Sequence, residues 1–282
     1  MDGVLEQIYQ RFSSMCILRK FPESGQKEVY LATVSGYGKV MLKIIKHMDE
    51  RTRREIDIVN DHDIPGVPKI RKVDNVIFDE VCHTYLLEEY IDGLSLAEIL
   101  QKTPSIGTKE VVKLLDYLLD VTRKLETIRI VHRDIKPANI IRDKAGNYHL
   151  IDFGIARNLN LTSITQTMLP VGPHTPGYGA PELFQNKKQE IDSRADLFSI
   201  GVVAYQAVTG KHPFLSGDET DFGEIWYKTR TVMPKDEKLE GDPDQWLMSF
   251  IKTLMQKQIS KRPPSAKKAM EWFSAVKKTL TI

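Results

Sequence analysis

Two short runs hold the side chains with the most chemical potential in this sequence. The first is His132-Arg133-Asp134-Ile135-Lys136-Pro137-Ala138-Asn139, and the second is Ile151-Asp152-Phe153-Gly154. Asp152 and Asn139 carry hard oxygen ligands of the kind that divalent cations take. Asp134 and Lys136 stand close enough on one loop for a carboxylate to orient a hydroxyl while an ammonium meets a charged group in transfer. Carboxylate, amide oxygen and ammonium together suit phosphoryl transfer, where catalysis is mostly positioning and neutralisation of phosphate charge. Each residue alone reads as an ordinary turn or surface group. The ordered set is what points to chemistry.

Positioning such a set requires a rigid frame. The apolar pieces Ile140-Ile141 and Tyr148-His149-Leu150-Ile151 flank the turn Asp143-Lys144-Ala145-Gly146-Asn147 and predict a hairpin that brings Asn139 and Asp152 together. A helical pattern over Lys109 to Ile128 precedes them. Residues 16–91 read as strand-rich. Val29 to Ala32 and Val40 to Leu42 form strands about the turn Ser35 to Lys39, Arg51 to Asn60 forms a helix, and Val67 to Val73, Val76 to Phe78 and Thr84 to Leu87 form further strands. Gly36-Tyr37-Gly38-Lys39 lacks the full spacing of a phosphate loop and reads as a turn. Past Asp92-Gly93 the pattern turns helical over Ser95 to Leu100, Asp192 to Thr209, Gln245 to Met255 and Ser265 to Leu280. Met1 to Ser14 carries Val4, Leu5, Ile8 and Phe12 on one helical stripe, which suits packing on its own domain better than a partner face. The expected organisation is α+β and bilobal: a helical extension over 1–15, a small strand-rich lobe with one main helix over 16–91, and a larger helical lobe over 92–282.

In its motifs and their order the chain resembles the eukaryotic-type (Hanks-type) protein kinases, in particular the bacterial Ser/Thr kinases, from about Cys16 to its end. The resemblance implies Asp134 as catalytic base, Lys136 as a mark of Ser/Thr specificity, and Asn139 and Asp152 as Mg²⁺ ligands, with Mn²⁺ as a possible substitute. It implies that Lys43 contacts the α- and β-phosphates of ATP and that Glu55 pairs with Lys43. Val29, Met41 and Ile141 would enclose the adenine, Glu89 and Ile91 would line the nucleotide site in the linker between the lobes, and Ser24 would lie at the phosphate loop. Phe153, His132 and Val59 would stack as an apolar spine. Ala180-Pro181-Glu182 closes the activation segment, with Glu182 paired to Arg262 and Asp196 bracing the catalytic loop. That segment and helix favour a protein substrate. Thr165 and Thr167 are the implied sites of activating autophosphorylation, with Arg133 receiving the phosphate, and self-association would allow the reaction in trans. Thr175 fits a structural threonine that contacts Asp134 and Lys136. The peptide-groove positions fall on Ser95, Ala138 and Gln206, so no selection for an upstream basic residue is expected.

The sequence departs from that pattern in two places. The glycine positions of the phosphate loop fall on Pro22, Ser24 and Lys27, and only the off-register Gly25 is a glycine. The position before Glu89 is Glu88, a carboxylate where burial is costly unless paired. Either Glu88 meets a cation such as Lys43, or the strand register slips by one. These departures keep a second reading open: a pseudokinase or nucleotide-binding scaffold. A third, transfer of a nucleotidyl group, is disfavoured by the standard order of Lys43, Asp134 and Asp152.

Composition bounds the partners. Lys plus Arg is 40 and Asp plus Glu is 38 over 282 residues, too balanced to argue for nucleic acid or an acidic membrane. The basic residues between Lys252 and Lys278 suit a solvated helix face. Cys16 and Cys82 stand alone, without metal spacing, which fits a reducing compartment. No uncharged run is long and apolar enough to span a bilayer, so a cytoplasmic protein is expected.

Overall fold

In β2 (Lys27–Val34) every second residue is buried on the same side, Glu28 and then the apolar Tyr30, Ala32 and Val34, and the intervening residues are half-covered. That alternation requires a sheet with one face sealed. The computed structural model describes residues 2–21, 27–45, 50–153, 157–158, 176–184 and 191–282, without the side chains of residues 2, 50–52, 54, 55, 157 and 158. The chain divides into two compact units. One comprises Met1–Asp63 with Val67–Asp92, and the other Ile64–Gly66 with Gly93–Ile282.

The smaller unit is a five-stranded antiparallel sheet in the order β1-β2-β3-β5-β4. The other strands are β1 (Met15–Lys20), β3 (Gly38–Ile45), β4 (Ile70–Phe78) and β5 (Val81–Glu89). Helix α1 (Asp2–Tyr9) places Val4 and Ile8 against Tyr30, Ala32, Val34, Val40, Leu42, Ile44, Val76, Tyr85 and Leu87. The N-terminal apolar stripe is therefore spent on its own sheet. On the opposite face, Ile56 of α2 (Glu50–Asp61) packs with Ile45, Leu86 and Ile70. β2 and β3 meet in a tight turn, where Tyr37 N–H donates to Val34 O at 3.0 Å and Gly36 and Gly38 both have positive φ. This is the hairpin turn the composition predicts. Two differences from the sequence reading have simple causes. The pattern splits Val67 to Phe78 at Asp74-Asn75, yet β4 runs unbroken, because those polar residues are bonded in place: Asn75 Oδ1 accepts from the Thr84 hydroxyl at 2.7 Å. The first helix stops at Tyr9, short of Ser14, and its Phe12 packs on the sheet from the following turn.

The larger unit is built on α4 (Gly107–Thr127) and α6 (Ser193–Thr209). α4 buries Val111, Leu114, Leu115, Leu118, Leu119, Val121 and Leu125. α6 is buried nearly all round, as expected for a helix enclosed on every side. α8 (Trp246–Leu254) and α9 (Ala266–Lys277) pack beside them. Gly201 lets α6 and α8 approach, since a Cβ there would fall 2.6 Å from Met255 Cγ. α3 (Leu96–Lys102) is opened by a capping box of Ser95 and Glu98, and α6 by Asp192, whose side chain accepts from Arg194 N–H. A three-stranded sheet, β6-β8-β9, joins Gly93–Ser95, Ile140–Asp143 and Tyr148–Leu150. β7 (Ile130–Val131) pairs with β10 (Arg157–Asn158). The short α5 (Pro181–Phe184) and the longer α7 (Phe222–Thr231) complete the unit.

Candidate active site

The loop between β7 and β8 is held from below by one carboxylate. Asp196, in the first turn of α6, accepts the backbone N–H of His132 at 2.8 Å and of Arg133 at 2.8 Å. It is fully buried, and that burial pushes its carboxyl up to about 6 against the pull of the two N–H donors. Arg133 sits at φ +67°, a left-handed conformation that a non-glycine residue adopts only when its surroundings impose it. The result is a fixed corner that presents Asp134.

Around Asp134 the predicted residues converge. Lys136 Nζ lies 2.8 Å from Asp134 Oδ2, and Asn139 Nδ2 donates to the same oxygen at 2.9 Å and to Asp134 O at 3.0 Å. The ammonium and amide hold the carboxylate in one orientation, with the Asp134 side chain only 11% exposed. Asp134 N–H donates to His132 Nδ1 at 3.3 Å, which leaves the proton of the neutral ring on Nε2. His132 is fully buried, and desolvation pushes its imidazole down to about 4. Its ring meets Phe153 edge-on at 4.6 Å, so two members of the expected spine stack inside this unit.

The β8–β9 hairpin places the second acidic residue. Ile151 N–H donates to Asn139 O at 2.9 Å, which fixes Asp152 beside the loop. Asp152 also has positive φ, +66°, and its side chain is exposed. The hairpin turn is tied by Asp143, which accepts from Asn147 N–H at 2.8 Å and lies 2.9 Å from His149 Nε2. These bonds hold the Asp143 carboxyl well below the usual range. Tyr117 of α4 is a further anchor: its hydroxyl accepts from Leu150 N–H at 2.7 Å and donates to Gly66 O at 3.0 Å. Nothing in the sequence pattern singles out Tyr117. It occupies an ordinary position on an amphipathic helix, and its role appears only once Leu150 and Gly66 are brought beside it.

The donor set fits a divalent cation. Asn139 uses both amide N–H groups on Asp134, so Oδ1 is the atom it can offer, and Asp152 adds a carboxylate. Among the described residues no cluster of three or more His, Cys, Asp or Glu side chains could hold a metal by itself. Two protein oxygens completed by phosphates and water are the usual Mg²⁺ arrangement.

In the smaller unit, Lys43 Nζ lies 2.6 Å from Glu88 Oε2, with each side chain 12% exposed. β3 and β5 pair Met41 with Glu88 and Lys43 with Leu86, so the lysine and glutamate are diagonal neighbours on one face. Of the two alternatives for Glu88, the cation is the one found. Val29 stands opposite Lys43 in the β2–β3 ladder. Glu89 ends β5, where it accepts from Lys69 N–H at 3.2 Å, and Ile91 follows it, half-buried. Ile141 lies in β8, opposite Ser95. Glu55 lies in α2, with its side chain outside the described residues. Ser24, Thr165, Thr167 and Thr175 lie outside them altogether.

Other assignments are also located. Arg262 meets Glu182 in a two-pronged pair, Nη1 to Oε1 at 2.6 Å and Nη2 to Oε2 at 2.9 Å, with both residues buried. Gln206 accepts from the Tyr178 hydroxyl at 2.7 Å, which engages that peptide-groove position internally. On α7, Phe222 and Tyr227 are exposed at 42% and 64%, while the Trp226 ring meets the buried Phe184 at a tilt, with centroids 6.0 Å apart. Several C-terminal lysines meet acids: Lys252 with Asp236, Lys268 with Glu271 and Lys277 with Asp116.

Residues 28–273 match the model of the protein kinase domain, and the chain belongs to that family. It is 30% identical to the serine/threonine-protein kinase pkn2 of Myxococcus xanthus over 94% of its own length and 32% of that protein's. It is 30% identical to the serine/threonine-protein kinase PrkC of Bacillus subtilis, over 70% of this chain and 31% of that one. Serine/threonine-protein kinase PknB of Mycolicibacterium smegmatis is 35% identical over 64% of this chain and 27% of that one. The chain thus spans about a third or less of the length of these relatives. The α+β fold with a strand-rich and a helical unit is the one the sequence motifs imply.

Proposed function

We propose that this chain is a Ser/Thr protein kinase, transferring the γ-phosphoryl group of Mg-ATP to hydroxyls of a protein substrate. The observation that carries the reading is the geometry at Asp134. Its carboxylate is gripped by Lys136 and Asn139 on a loop braced by Asp196. A carboxylate so fixed orients an incoming hydroxyl and accepts its proton as the phosphoryl group departs from ATP. Lys136, beside it, neutralises charge that develops on the transferring group. Asn139 and Asp152 would hold Mg²⁺, or Mn²⁺, which shields the phosphates. Lys43 would contact the α- and β-phosphates, Glu55 would pair with it, and Val29, Met41, Ile141, Glu89 and Ile91 would enclose the base, with Ser24 at the phosphate loop. Activation by autophosphorylation at Thr165 or Thr167, in trans between two copies, belongs to the same reading, with the Arg133 guanidinium binding the phosphate placed on the threonine. The compartment proposed is the cytoplasm: Cys16 and Cys82 are both free and exposed, as suits reducing surroundings.

The test is incubation with γ-labelled ATP and a generic protein acceptor, followed by phosphoamino-acid analysis. Label on serine or threonine that requires Asp134 supports the reading. Label on tyrosine alone overturns the specificity. Nucleotide binding without any transfer would assign the chain as a scaffold.

A further inference from the structure

The sheet sets Lys43 and Glu88 side by side. β5 lies between β3 and β4, and the backbone of Glu88 is in register with Met41 on one side and Ile70 on the other. Lys43 and Glu88 share the face on which Ile45, Leu86 and Ile56 form an apolar cluster. A carboxylate buried there carries a desolvation penalty that its partner offsets only in good geometry. Replacing a buried ion pair by apolar residues of similar volume is often neutral or stabilising. The pair is thus poorly explained as a stabilising device. What it does supply is a fixed point for the lysine, at 2.6 Å, on a central strand hydrogen-bonded along both edges.

We infer that Glu88 is a positioning residue for Lys43: from within the sheet it holds the ammonium in place, a second carboxylate acting alongside the one that α2 would provide through Glu55. This rests on the assignment of Lys43 to the nucleotide phosphates made above. An ammonium has three N–H donors, so it can meet Glu88 and a phosphate oxygen at the same time. Anchoring from β5 makes the lysine's orientation depend less on where α2 stands. Glu88 does not touch the reacting atoms, and its effect passes through Lys43.

The experiment compares wild type, Glu88→Gln, Glu88→Leu and Glu55→Gln in the full chain. The first readout needs no turnover. Nucleotide-free protein receives a trace of acetic anhydride, and acetylation of Lys43 is quantified by peptide mass spectrometry against the exposed Lys109. Loss of the Glu88 carboxylate, which favours the charged form of the amine beside it, should raise Lys43 labelling several-fold relative to Lys109. The second readout is kinetic: kcat should fall about tenfold in Glu88→Gln with KM for ATP changed less than about threefold, because orientation of the phosphates is realised in the transition state. Glu88→Leu, apolar and of similar bulk, should behave as Glu88→Gln does, which separates the charge from simple misfolding. Unchanged labelling in both Glu88 variants, with a rise in Glu55→Gln, would overturn the inference. If the wild type transfers no phosphoryl group, the proposed function fails on the kinetic arm while the labelling arm still decides the role of Glu88.

Discussion

Replacing Arg262 by Met should destabilise the larger unit by about 3–5 kcal/mol, the cost of leaving one member of a buried ion pair alone. The structure accounts for this magnitude. Arg262 donates to both oxygens of Glu182, to Arg194 O at 2.9 Å and to Gln256 O at 2.7 Å. Its side chain is 0% exposed and that of Glu182 5%, so water cannot take over when the guanidinium is removed. The methionine retains the apolar stem, which isolates the loss of charge and hydrogen bonds. Denaturant unfolding followed by circular dichroism measures the change, and the melting temperature should fall by roughly 10 °C. The double variant Glu182→Leu with Arg262→Met removes the stranded carboxylate and should recover most of the loss. A single variant that loses under about 1 kcal/mol, or a double variant no better than the single, would refute the account of the pair.

Three further outcomes follow from the same geometry. His132→Phe should gain on wild type by about 2 kcal/mol between pH 7 and pH 5, because the buried imidazole, held down to about 4 in the fold, protonates in the unfolded chain near its ordinary value and so lowers native stability on acidification; denaturant midpoints at the two pH values check this. The raised Asp196 carboxyl, at about 6, works in the opposite direction, taking up a proton in the folded state first, so the wild type itself should change little from these two groups over that range. Gly210→Ala should cost several kcal/mol by thermal unfolding, since the residue has φ +73° and a Cβ would fall 1.9 Å from Pro104 O.

The loop around Asp134 is the most legible part of the sequence, because its distinctive residues stand at short spacing. Asp134, Lys136 and Asn139 meet through local turns, so proximity in sequence became proximity in space. The Glu182–Arg262 pair, far apart in the chain, was legible through the family resemblance. Glu88 was legible as an anomaly only: a carboxylate in an apolar strand demands a cation, yet the choice between Lys43 and a slipped register needed the β3–β5 ladder. Tyr117 and Glu126 were not legible. Glu126 accepts from the Ser193 hydroxyl and from Ala266 N–H, tying α4 to the starts of α6 and α9, and such long-range caps leave no local pattern. Strand β1 leaves little signal in the sequence because it is an edge strand with little buried surface and hence no clean alternation. α9 ends at Lys277, before Leu280, because the chain tightens there into i→i−3 turns, Thr279 N–H donating to Val276 O at 3.0 Å, a change apolar spacing cannot signal.

The central claim is phosphoryl transfer through Asp134, and intact-mass spectrometry after incubation with Mg-ATP tests it most directly. Stepwise gains of about 80 Da, one per phosphoryl group, should appear in the wild type and be absent from Asp134→Asn and Asp152→Asn, while both variants keep the far-ultraviolet spectrum of the fold. Equal gains in the wild type and in Asp134→Asn would contradict the account.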